Sequence, residues 1–320
     1  MSARVSGETS DAESGADAAA PASGEIATGA GTAVVDDRSW RQVLADAAGG
    51  LHEAHEARFI VQHVAAVSSA ELLGHLDETA PPALAAEIGA LVERRCAGEP
   101  LQWVLGEWGF RGLHVAVDGR ALVPRPETET VVETALAELN LAGAPFRVAD
   151  LGTGSGVIAL SIAAERRGVQ VFATDASPKA LSLAAENLGR LEEDARSRVH
   201  LLRGDWWAAL PARLAGSFAV VVSNPPYLST DEWTGLDPVV REYDPYDALV
   251  AGPSGLEVIS LLVAEAPGWL HTAGALVVEI APHQARAVLD LARAGGSYAS
   301  AEVFDDLAGR PRVLVARRAA

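Results

Sequence analysis

The 320-residue chain contains one cysteine, Cys96, and one lysine, Lys179. A single thiol cannot close an intramolecular disulfide or supply a cysteine-rich zinc site, which suits a reducing cytoplasm. No apolar run approaches the roughly 20 residues that cross a bilayer, so no membrane span is expected. Aromatic residues make up only 5%, and 25 Lys plus Arg face 43 Asp plus Glu, a formal net charge of -18. Such a polyanion is repelled at long range by nucleic acid and by anionic lipid, and neither is expected as a direct partner.

Large apolar residues are also scarce at the start of the chain. Residues 1–38 are rich in Ala, Gly, Ser, Asp and Glu and read as a disordered acidic tail. A secretory leader would need an uninterrupted apolar segment, whereas Glu8, Asp11, Glu13, Asp17, Pro21 and Glu25 break this one. A cytoplasmic location is expected.

Beyond the tail the chain is long enough for roughly two domains. Residues 39–105 show helical periodicity, with Trp40, Val43 and Leu44, then Ala57, Phe59, Ile60, Val64 and Val67, then Leu84, Ile88, Leu91 and Val92 on buried faces. His52, His55 and His63 crowd into "HEAHEARFIVQH", but the spacing is not H-E-x-x-H and no further ligand set is in view. Surface or capping roles are expected for them, and no metal. Residues 106–124 alternate around Asp118-Gly119, a two-residue turn signal, and predict a β-hairpin. A helix is then expected to open at Pro126 and Glu127, burying Val131, Val132, Ala135, Leu136 and Leu139.

From Phe146 onward strand-like and helix-like stretches alternate, which implies an α/β domain over 125–320: a parallel sheet with helices on both faces. The stretches "SAEVFDD" and "RVLVAR" are close enough to form a closing antiparallel pair. Ligands on such sheets sit beyond the carboxyl ends of the strands. Three acidic residues fall there. Asp150 leads "DLGTGSG", where Gly152, Gly154 and Gly156 let the backbone turn sharply and approach a ligand, with Thr153 and Ser155 between them. Asp175 ends the second strand and can accept from ribose hydroxyls. Asp205, beside Trp206, offers an acceptor for an amine and a face for a purine.

A nicotinamide dinucleotide would want G-x-G-x-x-G over a helix N-terminus. Here G-x-G-x-G follows an acidic residue, the arrangement typical of S-adenosylmethionine-dependent methyltransferases, and Asp150 suits the methionine ammonium. The fourth strand, "AVVVS", runs straight into Asn224, Pro225, Pro226 and Tyr227. Two prolines after a strand force a stiff exit from the sheet. If Asn224 and the Pro225 carbonyl accept the two N–H bonds of a planar amide or amine while Tyr227 packs on it, the nitrogen is held for attack on a sulfonium methyl.

The chain resembles the peptide chain release factor N(5)-glutamine methyltransferases over nearly everything from Trp40 to Arg317. The likeness rests on "EPLQWVLGEWGFRGLHVAVDGRALVPRPETETVVE", "DLGTGSGVIALSIA", "GDWWAAL", "VVSNPPYL", "REYDPYDAL" and "DDLAGRPRVLVAR". It implies a Rossmann-like seven-stranded methyltransferase sheet, S-adenosyl-L-methionine as cofactor, and a substrate glutamine in the Gly-Gly-Gln motif of a class I release factor, gripped by the helical domain and hairpin; a monomer is expected, though the sequence does not decide it. Carried over, Gly152 to Gly156 form the cofactor loop, Asp175 meets the ribose, Trp206 lies by the adenine and Asn224 serves donor and acceptor. The substrate glutamine lies against Asn224, Pro225, Pro226 and Tyr227, and Glu127 and Thr128 border the cofactor. Ala281 and Ser254 depart from the family's usual glycine and acidic residue.

Two neighbouring readings share S-N-P-P-Y: a ribosomal-protein glutamine methyltransferase, which differs after "VPR", and an amino-methyltransferase of DNA or RNA, which the acidic pI of about 4.8 disfavours. A non-catalytic cofactor-binding scaffold would be expected to have lost Asn224 or the glycines.

Overall fold

Runs of β-branched residues with apolar side chains on both faces make central strands, and here they stack into one sheet. The computed structural model describes residues 37–142 and 144–319. The tail read over 1–38 therefore lies, through residue 36, outside the described residues.

Five helices come first: α1 (Trp40–Gly50), α2 (Glu56–Ala65), α3 (Ser69–Gly74), α4 (Pro82–Cys96) and α5 (Leu101–Leu105). Ser39 and Ser68 begin α1 and α3 with capping boxes, their side chains exchanging bonds with Gln42 and Glu71. Trp40, Val43, Ala57, Ile60, Val61 and Ile88 form a separate small core. Phe59, expected inside, is 45% exposed. It faces His55 and Trp108 with ring centroids 6.3 and 6.2 Å away, and these three rings stand together at the mouth of a surface groove.

Strands β1 (Glu107–Phe110) and β2 (Leu113–Ala116) form the hairpin, but its turn is Arg111-Gly112 rather than Asp118-Gly119. Both turn residues are left-handed, φ 45° and 77°, as the tight two-residue hairpin turn requires. Asp118 is instead engaged by the backbone N–H and guanidinium of Arg120. Gly119 gives room to Trp103, whose ring would stand 3.0 Å from a Cβ there. The Arg111 guanidinium grips Glu165 through two 2.7 Å bonds, tying the hairpin to the end of the helix Val157–Glu165.

The sheet uses β3 (Arg147–Leu151), β4 (Gln170–Asp175), β5 (Val199–Arg203), β6 (Phe218–Ser223), β9 (Leu270–Glu279), β10 (Tyr298–Asp305) and β11 (Pro311–Arg318); β7 (Leu228–Ser229) and β8 (Val250–Gly252) make a small pair apart. Its order is β10-β11-β9-β6-β3-β4-β5. Strands β9, β6, β3, β4 and β5 are parallel, and β11 runs antiparallel between β9 and β10. Burial alternates with period two: Val277, Val313 and Val315 face one core and Leu276, Val278 and Leu314 the other. α6 (Thr128–Ala142) and α7 (Val157–Glu165) cover the first face; the helices Glu257–Trp269 and Ala285–Ala294 cover the second. α8 (Pro178–Gly189) follows β4, begun by Ser177, whose side chain accepts the Ala180 N–H. α6 starts two residues later than expected, because Pro126 and Glu127 sit in a tight turn before it.

The order of connection reverses between β3 and β6, and the crevice at the carboxyl ends of these strands is where open α/β sheets hold ligands. Among the described residues no helix is long and apolar enough to cross a membrane.

Candidate active site

Beyond the ends of β3, β4 and β6 lies a cavity of about 470 Å³, within the usual range for a cofactor site. The loop after β3 is its floor. Gly152, Gly154 and Gly156 have φ of 74°, 57° and 89°, a region that side-chain-bearing residues avoid. A Cβ on Gly156 would also stand 3.2 Å from Leu160 and 3.3 Å from Ala184, so the loop can pass only as glycine. Gly152 leaves room for the Trp206 ring, which would lie 3.3 Å from a Cβ there.

The loop is held from several sides. The Gly152 and Thr153 N–H groups donate to the Thr174 carbonyl at 2.9 Å. The Gly154 and Ser177 N–H groups donate to the two oxygens of Asp175 at 2.9 and 2.8 Å, leaving that carboxylate fixed on the cavity wall. Asn187, fully buried in α8, accepts the Ala116 N–H at 2.7 Å and donates to the carbonyls of Ala116 and Ser155 at 3.1 and 2.9 Å. One amide thus joins the hairpin to the glycine loop, a role that nothing in "AAENLG" signals.

Asp150 is placed differently from the sequence expectation. It is fully buried beneath the loop and is absent from the cavity wall; its Oδ2 accepts the Thr153 hydroxyl at 2.6 Å and the Ala159 N–H at 3.1 Å. Burial pushes this carboxyl up to about 7 against those two bonds, with the Asp175 charge adding to the rise. Its Oδ1 has no partner among the described residues. Its geometry is that of a loop anchor.

Asp205 and Trp206 line the cavity, together with Thr153, Ser155 and Thr128. Trp206 is itself left-handed at φ 42°. Ser223 anchors the exit of β6 by donating to the Leu151 carbonyl at 2.6 Å. Asn224 and Pro226 then reach the wall, while Pro225 is buried and Tyr227 packs half-buried into the second core. The Tyr227 backbone is fixed by Leu249 and Gln284. Burial, with Glu279 close by, pushes its phenol up to about 12, so it stays neutral.

Glu127 is not on the wall; its carboxylate takes the Arg310 guanidinium at 3.0 Å. Thr128 is on it, 2% exposed, and donates to Glu279 at 2.7 Å while accepting from Asn224 Nδ2 at 3.2 Å. The wall also takes Leu122, Val123, Pro124 and Arg125, and Pro245, Asp247 and Ala248 from "REYDPYDAL", a segment in which no residue type or spacing signals a site. Arg125 pairs with buried Asp244 at 2.5 Å and lines a second groove of about 410 Å³ beside Phe59, Trp108, Val239 and Val240. Of the three histidines, His55 borders that groove and His63 lies 3.7 Å from Glu107. Among the described residues no cluster of His, Cys, Asp and Glu is arranged to hold a metal.

Two family descriptions match this chain: the PrmC N-terminal domain over residues 38–106 and the methyltransferase small domain over 132–236. A release factor glutamine methyltransferase of Cereibacter sphaeroides is 41% identical over 273 residues, covering 85% of this chain and 94% of that one. The chain belongs to the release factor glutamine methyltransferase family. Another member, from Deinococcus radiodurans, is 42% identical across 82% of this chain and 91% of its own. As a member of this methyltransferase family the protein is an enzyme. The hMettl16 catalytic domain, solved in complex with the MAT2A 3'UTR hairpin 1, superposes with a TM-score of 0.52 at 14% identity, over 78% of this chain and 84% of that one. At that identity the likeness concerns the fold, the class I methyltransferase sheet that this release factor glutamine methyltransferase family member shares.

Proposed function

We propose that the protein transfers a methyl group from S-adenosyl-L-methionine to the side-chain amide nitrogen of the glutamine in the Gly-Gly-Gln motif of class I peptide chain release factors. The observation that carries this reading is the orientation of Asn224 on the cavity wall: its Nδ2 donates to Thr128 Oγ1, which leaves its Oδ1 to accept beside the cofactor loop.

The cavity fits the cofactor chemically. Its floor is a glycine loop that a Cβ would obstruct, a carboxylate held by two backbone donors stands where a ribose would lie, and an indole faces the loop. S-adenosylmethionine, when bound, supplies a methyl on positively charged sulfur, already electrophilic. The remaining task is to make a poor nucleophile attack, because an amide nitrogen delocalises its lone pair into the carbonyl.

Asn224 Oδ1 and the Pro225 carbonyl would accept the two amide N–H bonds, which holds the nitrogen and favours its pyramidalisation; as the N–CH₃ bond forms, the methyl–sulfur bond breaks with its electron pair left on a neutral thioether, and the nitrogen gives up one N–H proton to water. Orientation of this kind supplies rate without a strong base. Asp150 acts by holding the loop, and Tyr227 by shaping the substrate side. The helical region 39–105 and the hairpin segment 106–124 grip the release factor, with the Phe59–Trp108 groove beside the catalytic domain of 125–320 as the contact. A release factor places the reaction in the cytoplasm.

The test is to incubate the protein with S-adenosylmethionine and an unmethylated release factor and to map mass on the Gly-Gly-Gln peptide. One added methyl on that glutamine is expected. Methylation of a ribosomal protein or of DNA or RNA instead, with none on the release factor, rejects the reading.

A further inference from the structure

A carboxyl buried as deeply as Glu279, 1% exposed at the end of β9, is costly unless it is hydrogen-bonded. Its neighbour in the sheet is β6, whose Ser223 pairs with Val278, so Glu279 stands beside the exit that carries Asn224. The three side chains form a line: Asn224 Nδ2 donates to Thr128 Oγ1 at 3.2 Å, and Thr128 Oγ1 donates to Glu279 Oε2 at 2.7 Å.

A threonine hydroxyl has one hydrogen, and a carboxylate can only accept. While Glu279 is ionised, the hydroxyl hydrogen is committed to it, and the Thr128 oxygen can only accept. The amide must then present its NH₂ group to Thr128 and its oxygen to the cavity. A protonated Glu279 gains an O–H that can donate, so the direction is no longer forced and the reversed line opens. In that line the carboxyl O–H donates to Thr128, the hydroxyl hydrogen turns to Asn224, and the amide rotates so that NH₂ faces the cavity, where it repels a donor.

We propose that Glu279 and Thr128 are positioning residues that select which end of the Asn224 amide faces the substrate. The consequence for turnover rests on the glutamine-methylating reading above; the amide orientation does not.

The groups that face Glu279 are Thr128 on α6, Arg125 and Glu127 before it, Tyr227 after β6, and Arg312 on β11, itself 3.6 Å from Asp306. Burial dominates and pushes Glu279 up to about 7, opposed by Thr128, Arg312 and Arg125 and reinforced by Glu127. Protonation therefore grows as pH falls through about 7, and the correctly turned population shrinks.

Selective ¹⁵N labelling of asparagine reads the orientation directly, since the chain has three asparagines, Asn140, Asn187 and Asn224. Asn224→Ala identifies the Asn224 signal. In the full-length protein without cofactor, its side-chain amide resonance should move with pH around a midpoint near 7, and Glu279→Gln should abolish that movement. With cofactor and release factor, Thr128→Val should lower kcat by about 10-fold or more with KM for the release factor changed far less. Thr128→Ser, which keeps the hydroxyl, should recover most of the loss. Glu279→Gln should remove the fall in kcat below about pH 7. An Asn224 resonance that ignores pH in the wild type, or an acid limb that survives in Glu279→Gln, overturns the proposal. If the resonance responds as described but no methyl reaches the glutamine, the positioning role stands and the release-factor reading fails.

Discussion

Replacing Asn187 by leucine would cut the tie between the hairpin and the cofactor loop while filling the same space. Asn187 makes three buried bonds: to the N–H and the carbonyl of Ala116 and to the carbonyl of Ser155. Leucine leaves the Ala116 N–H as a buried donor without an acceptor, about 1–3 kcal/mol, and removes two further bonds of about 1 kcal/mol each. Burial of the added apolar surface returns about 1 kcal/mol, so the net loss is about 3 kcal/mol. For a domain of this size that lowers Tm by about 6–12 °C in scanning calorimetry. The freed Ser155 carbonyl also loosens the loop, and titration calorimetry should show S-adenosylmethionine bound about 10-fold more weakly, equivalent to about 1.4 kcal/mol. A Tm within about 2 °C of wild type, less than 1 kcal/mol, would refute the structural tie. A lowered Tm with unaltered cofactor affinity would refute its reach into the loop.

Asn224→Ala should lower kcat by about 10²-fold or more while cofactor affinity stays within about 3-fold, since the residue orients the acceptor amide; near-normal turnover would show the role is misassigned. Asp150→Asn should change how stability responds to pH. The folded-state carboxyl lies at about 7, above its unfolded value of about 3.9, so the folded state binds the proton more tightly. The wild type therefore loses stability as pH rises between about 4 and 7, by up to ~1.4 kcal/mol per unit, a loss the asparagine lacks. The Tm difference, variant minus wild type, should grow in the variant's favour across that window, and a pH-independent difference would refute the buried-acid reading.

Much of the fold was legible because its causes are local. Strand runs such as "FAVVVS" and "ALVVEI" carry both buried faces in their composition, and the left-handed positions of the cofactor loop are occupied by glycine. Two expectations failed where a local signal had a second use. Asp118-Gly119 has the chemistry of a hairpin turn, yet Asp118 is taken by Arg120 and Gly119 by the Trp103 ring, so the turn formed at Arg111-Gly112. Phe59 keeps helical spacing but stands at a groove's edge, where only the rings of His55 and Trp108 come beside it and it stays 45% exposed.

By itself the sequence determined the alternating sheet and helices, the glycine loop, and the family to which "VPRPETE" and S-N-P-P-Y point, because each depends on residues adjacent in the chain. Tertiary structure decided which groups meet. It sent Asp150 under the loop and Glu127 to Arg310, and it brought Asn187 to Ala116 across 71 positions, Asn224 to Thr128 across 96 and Thr128 to Glu279 across 151. No spacing rule in the chain records such encounters. They arise because strand order reverses between β3 and β6, setting the ends of β6 and β9 side by side beneath the start of α6, where a single hydroxyl can join an amide to a buried acid.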